Sequence, residues 1–251
     1  LLKQKFYQTT LPQKYKTMAE FQKYPSIENV KAGHVARFLE TAPTPDEEWI
    51  VVPKQHGSNL SFSKTRGDNK LYVSSRNRLL GDVETYDHNA VGFFNVGYWF
   101  KEWAPQMHAL ADDLLGQDES VKQVTIFGEL CGGCYDSKDV PKHPEGRVIQ
   151  NGQLQYCPQN LFYGFDIKLS FIDGTRSSKW LDFDTEQFLF NKHNIFCEKE
   201  EFRGTLVDCL NFSAKNKLLP TEIPRRLGLP ERPENIKEGN GKFCCCLFCH
   251  Y

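Results

Sequence analysis

Short apolar runs separated by polar turns dominate the chain. WIVV at 49–52, LSFS at 60–63 and LYVSS at 71–75 are rich in β-branched and aromatic residues, and the segments between them are polar, so three strands are expected. The first two frame the loop Pro53–Asn59. This arrangement predicts an antiparallel sheet edge that presents the loop to solvent. Two later runs, VTIFGEL at 124–130 and LFYGFDIKL at 161–169, have the continuous apolar character of buried strands. The Gly-, Pro- and charge-rich stretch 131–158 between them reads as a long surface excursion. Helical spacing is found at 94–115, with an interruption expected at Pro105, and again at 185–194. Residues 21–40 predict an extended opening followed by a helix, 41–48 an acidic Pro-rich turn, and 219–239 an extended linker. Strands with inserted helices and no regular βαβ alternation indicate an α+β fold.

Composition narrows the class. The chain has 251 residues, enough for one large domain or two lobes around a cleft. Its 39% hydrophobic content supports a packed core. Lys and Arg number 31 against 32 Asp and Glu, which excludes the global basicity of histone-like proteins and leaves room for a local basic groove. No apolar run is long enough for a membrane helix, so a soluble protein is expected. Four of the nine cysteines fall in the last eight residues and the rest are scattered, which fits an intracellular, reducing compartment better than a disulfide scaffold. Residues 1–17 carry Lys3, Lys5, Lys14 and Lys16 and no acid, the pattern of a weak mitochondrial leader or of upstream sequence. Cytoplasm, nucleus and mitochondrion all remain open.

The most informative segment is Lys54-Gln55-His56-Gly57-Ser58-Asn59. A lysine amine is a nucleophile only when neutral, and neutralising it requires desolvation or a neighbouring cation. Gly57 lets the backbone approach a ligand closely, and His56 and Asn59 offer polar contacts to a phosphate or to metal-bound water. Three charged residues stand out downstream. Arg76 ends the strand LYVSS, Glu129 ends VTIFGE, and Asp166 lies inside an apolar strand beside Phe165. An acid in such a strand needs a partner or a metal. Taken singly, Glu129 and Asp166 read better as members of structural ion pairs with a core Arg or Lys. The pairs Cys131/Cys134 and Cys246/Cys249 with His250 have ligand types suited to zinc, but over a hundred residues separate them.

In this order the segments resemble the covalent nucleotidyltransferases, and most of all the ATP-dependent RNA ligases of phage double-strand RNA repair and trypanosome RNA editing. WIVVPKQHGSNLSF at 49–62 is similar to that family's nucleophile motif, Lys-x-His-Gly-(Ser/Thr)-Asn. YVSSRNRLLG at 72–81 resembles the segment bearing a strand-end Arg, VTIFGELCGG at 124–133 the one bearing a catalytic Glu, and LFYGFDIKL at 161–169 the Phe-Asp motif. FQKYPSIENV at 21–30 is similar to the family's N-terminal opening.

The resemblance implies a two-lobed antiparallel-sheet nucleotidyltransferase domain, an ATP-grasp-like ligase fold, over residues 18–239. It implies joining of RNA 3′-hydroxyl and 5′-phosphate ends at a nick or splint through a lysyl-AMP on Lys54. His56, Arg76, Glu129 and Asp166 would be catalytic. Pro53, Gly57, Asn59, Phe165 and Glu238 would contact the nucleotide. Asn59, Glu129 and Asp166 would hold Mg²⁺, or Mn²⁺ in its place, through water. ATP and RNA are the implied substrates.

The chain departs from the pattern in two places. Pro53 stands where RNA ligases usually carry Glu, and it has no N–H to offer the base. PENIKEG at 233–239 begins the family's next motif, but Asn240-Gly241-Lys242-Phe243 and CCCLFCHY follow instead of an apolar strand and a Lys-x-Lys strand. Residues 240–251 are therefore expected to be an aberrant tail, with the last strands missing or altered and a sheet edge left exposed. An inactive nucleotide- or RNA-binding remnant is the alternative, and within the enzyme class a DNA ligase or capping-type transferase.

Overall fold

A computed structural model describes residues 19–25, 48–87, 92–149, 154–173, 178–215, 221–230 and 245–248. Among these residues, nine strands form two sheets. The larger has the order β4-β3-β2-β5-β6-β7, built from β2 (Ser58–Thr65), β3 (Leu71–Ser75), β4 (Leu79–Asp82), β5 (Val121–Cys134), β6 (Cys157–Phe171) and β7 (Lys179–Trp180). The smaller has the order β8-β1-β9, with β1 (Trp49–Pro53) between β8 (Phe202–Gly204) and β9 (Cys245–Phe248). All named pairings are antiparallel, and with the helices they make the expected α+β fold.

The long helix α1 (Val96–Gln117) covers one face of the larger sheet. Its buried residues, among them Trp99, Phe100, Trp103, Met107, Leu110 and Leu114, follow the three-and-four spacing of a helix stripe. They pack on Leu60, Phe62, Val124, Ile126 and Leu169 from the strands. The interruption expected at Pro105 does not occur, because Pro105 lies inside the continuous helix. The residue is exposed, as is Lys101 one turn before it, so water can solvate the carbonyl that proline cannot serve. Both flanking turns are held by the buried tryptophans and Met107.

The smaller sheet packs Trp49 and Val51 against α3 (Leu206–Lys215) and turns Ile50 and Val52 toward Phe183 of α2 (Phe183–Lys192). Asp182 caps α2, its side chain accepting from the Thr185 N–H at 2.9 Å. Within 219–239, where the sequence predicts a linker, Ile223–Arg226 form a short helix, α4.

Two sequence expectations are corrected at the smaller sheet. β1 and β2 do not share a sheet edge, because β1 takes β8 and β9 as neighbours while β2 takes β3 and β5, so the loop Lys54–Gly57 links the two sheets. Nor is β1 left with an open edge. Cys245–Phe248 pairs along it from Pro53↔Cys245 to Ile50↔Phe248, the apolar tetrapeptide Cys-Cys-Leu-Phe supplying the strand. The helix expected within 21–40 lies largely outside the described residues. Residues 19–25 form no regular element and lie against β5 and β6 on the face opposite α1.

Candidate active site

The link between the sheets brings Lys54 beside β5. Gly57 is the reason the backbone fits, since a Cβ there would lie 2.1 Å from the Leu130 carbonyl oxygen and 2.9 Å from Cγ of Glu129. The Gly57 N–H donates to the Glu129 carboxylate. Asn59 is the cross-strand partner of Glu129, so the two side chains share one face of the larger sheet. Burial pushes the Glu129 carboxyl up to about 7, against the pull of Lys54, the Gly57 N–H and Arg76. One half-buried carboxylate thus faces two cations, each just past a different strand end.

His56 is held by its backbone. Its N–H donates to the buried hydroxyl of Tyr156 at 2.9 Å. Burial, then the Lys54 charge, lowers its imidazole pKa, which leaves the ring neutral near pH 7. Pro53 ends β1, half-buried. Arg76 follows β3 with an exposed side chain. Glu238 lies outside the described residues.

Asp166, expected to share a water shell with Glu129 and Asn59, lies on the neighbouring strand β6. It sits opposite Phe127, next to an irregularity in the β5–β6 register. Its carboxylate accepts a short hydrogen bond from the Tyr24 hydroxyl, 142 residues away. Burial holds its pKa at about 7, with the Tyr24 bond opposing. Its other charged neighbours are Glu186 of α2 and Glu198, both fully buried and both raised by burial first and by Asp166 second. Glu186 accepts from the Ile167 N–H at 2.7 Å. Its second oxygen, and one oxygen of Glu198, have no partner among the described residues. Phe165, half-buried, meets Tyr24 edge-on at 5.0 Å. Tyr24 also contacts Phe127 and Trp180, so its ring sits in an aromatic nest.

Sequence reasoning singled out Lys54, Arg76 and Glu129, which the fold brings within electrostatic reach of one another, and Asp166, which it sets among other acids. It missed Tyr24, Tyr156, Glu186 and Glu198. Tyr24 stood in a segment already singled out at 21–30, but nothing local paired it with Asp166. No three His, Cys, Asp or Glu side chains among the described residues form a metal cluster. Of the second cysteine pair and its histidine, Cys249 and His250 lie outside the described residues.

A model of the RNA ligase family matches residues 47–240. The mitochondrial RNA-editing ligase 1 of Trypanosoma brucei brucei is 28% identical over 215 residues, covering 77% of this chain and 44% of that protein. RNA-editing ligase 2 of the same organism is 28% identical over 160 residues, covering 59% and 36%. The chain thus spans less than half the length of these curated relatives. Among solved structures, Naegleria gruberi RNA ligase with PPi is similar at a TM-score of 0.49 and 16% identity, covering 79% of this chain and 50% of that one. A mutant of the same ligase with ATP and Mn gives 0.47 and 15%, covering 73% and 43%. The family match spans most of the chain, from the start of β1 through the nucleophile loop and both long central strands, and the chain belongs to the RNA ligase family.

Proposed function

We propose that this chain carries the adenylyltransfer step of an ATP-dependent RNA ligase, with Lys54 as nucleophile. The observation that carries the reading is Lys54 on the link between the sheets, within electrostatic reach of the half-buried carboxylate of Glu129. The Lys54 amine forms a bond to the α-phosphorus of ATP as the bond to pyrophosphate breaks, and the amine proton leaves to solvent. AMP then passes to an RNA 5′-phosphate, and an RNA 3′-hydroxyl displaces it to form the phosphodiester. Transfers of this kind depend on positioning and charge neutralisation more than on covalent help from the protein.

Arg76 supplies positive charge to the phosphates from the end of β3. His56, neutral near pH 7, offers one ring N–H to a phosphate oxygen. Phe165 would stack on the purine, and Gly57 would let the backbone close on the phosphates. A divalent cation would neutralise the phosphates when bound. The residues present fit a hydrated ion held by Glu129 with Asn59 beside it, and not an all-protein cage. Asp166 stays outside that set, committed to Tyr24. The trypanosome relatives are named as mitochondrial; the acid-free stretch 1–17 is the feature here that would carry such an address.

The test is incubation of wild type and Lys54→Ala with α-labelled ATP or GTP and Mg²⁺ or Mn²⁺. Label from ATP that stays on wild-type protein in acid, and is absent from the mutant, is expected. Equal labelling of the two proteins overturns the assignment of Lys54. Label from GTP alone favours a capping-type transferase, and no label on folded wild type with either nucleotide favours the binding remnant.

A further inference from the structure

Away from Lys54, two cysteines face each other across adjacent strands. Cys134 of β5 and Cys157 of β6 are direct register partners. Opposed residues of an antiparallel pair have Cα atoms about 4.5–5.5 Å apart, inside the range a disulfide spans. Cys134 is half-buried and Cys157 fully buried. Between Cys131 and Cys134 the strand carries Gly132 and Gly133, both with positive φ, which bend β5 toward its partner. A Cβ on Gly132 would come within 2.7 Å of the Cys157 sulfur, so that thiol leans on the β5 backbone. It donates to the Gln159 carbonyl at 3.2 Å.

The residues next to the pair are anchors. Tyr135 follows Cys134 and donates its hydroxyl to the Pro230 carbonyl. Tyr156 precedes Cys157 and holds the His56 N–H in the Lys54 loop. Both tyrosines are buried. A covalent tie between the cysteines would close the base of the excursion 135–156 and fix both anchors to each other.

We infer that Cys134 and Cys157 are a redox pair, oxidised by a peroxide to a cross-strand disulfide. The Cys134 thiolate attacks the peroxide, giving a sulfenic acid and hydroxide. The Cys157 thiol then attacks that sulfur, the S–S bond forms, and water leaves. The order follows from access, since Cys134 is the more exposed of the two and the one an oxidant can reach. Burial pushes the Cys157 thiol up to about 12, so the second step is the slow one. The closure does not depend on the ligase reading.

The test uses the full chain, reduced, treated with hydrogen peroxide under native conditions, quenched with N-ethylmaleimide and digested without reductant. A peptide linking Cys134 to Cys157, two hydrogens lighter than the sum of its parts, is expected in at least half of the protein. Cys134→Ser should abolish it and Cys131→Ser should leave it intact. A link from either cysteine to any other, including a Cys131–Cys134 bond, overturns the inference. So does Cys134 recovered as sulfinic acid with no link to Cys157.

Discussion

Two carboxylates on one face of the larger sheet sit in opposite surroundings. Glu129 faces Lys54 and Arg76, with a backbone N–H on its oxygen. Asp166, on the neighbouring strand, faces the Tyr24 hydroxyl and two further acids, Glu186 and Glu198. Burial raises both to about 7, so the pKa alone does not tell them apart. What differs is which charge would relieve the strain. At Glu129 the relief comes from cations, and anionic phosphates with a divalent ion extend that network. At Asp166 it comes from protons, because among the described residues the charges acting around it are those of other acids. Similar upward shifts thus arise in opposite settings, a half-buried carboxylate among cations in one place and a buried one among acids in the other.

The largest expected effect separates the two carboxylates by activity. Glu129→Gln should lower the rate of Lys54 labelling by about 100-fold or more, as loss of a group acting on developing charge typically does. In wild type the carboxylate form is required, so the rate should rise with pH through about 7. Raising the divalent ion should move that limb to lower pH, since a bound cation favours the ionised form. The limb should vanish in Glu129→Gln, measured as residual labelling against pH. If Glu198→Gln slows labelling equally, the distinction between the two acids fails.

The next effect is on stability and carries the opposite signature. The unfolded chain releases the protons of Asp166, Glu129, Glu186 and Glu198 near pH 4, while burial makes the native state keep those of Asp166 and Glu129 to about 7 and holds those of Glu186 and Glu198 well above the usual carboxylate range. The native state therefore binds more protons in this window, and stability falls as pH rises from about 4 through 7. Glu198→Gln, which removes one such proton, should flatten that slope, as read from thermal midpoints at pH 5.5 and 8. A steeper slope in the mutant would contradict the proton-holding core. Below pH 4 the trend reverses at Asp82. Burial there favours the neutral acid, but hydrogen bonds from Glu84 and Lys70 outweigh it and hold the pKa at about 2, so that stabilisation is lost as acid protonates the group.

Much of this contrast was invisible in the sequence, for reasons particular residues make clear. Lys54, Gly57 and Arg76 were legible because each flanks a strand end beside a turn, and Glu129 because a charged residue there interrupts the apolar run of β5. The strands were legible too, since alternation and β-branching mark β1, β2 and β3 directly. Their assignment to two sheets was not, because it depends on β8 and β9, which come from far along the chain. The continuity of α1 through Pro105 was illegible because it depends on which side of the helix faces water. Asp166 was visible as a buried acid, but Tyr24, Glu186 and Glu198 come from three separate segments. No local pattern couples them, so the partner had to be left open between an ion pair and a metal.

The smallest effect tests whether Tyr24 is a latch on the proton-holding core or only packing for it. Tyr24→Phe keeps the ring against Phe127, Phe165 and Trp180 and removes only the hydroxyl that Asp166 accepts. Losing one hydrogen bond to a buried carboxyl should cost about 1 kcal/mol. The loss should be pH-dependent. The hydroxyl favours the ionised form of Asp166, so the mutant should lose most above pH 7 and least near pH 5. A uniform loss across that range would mean the hydroxyl acts on packing and not on the charge of Asp166. Labelling of Lys54 offers the second comparison, because Tyr24 also fixes the edge of Phe165. If Phe165 stacks on the purine, Tyr24→Phe should raise the KM for ATP a few-fold and leave kcat nearly unchanged. An equal fall in kcat would instead tie Tyr24 to the Glu129 side of the sheet and erase the boundary between the two carboxylates.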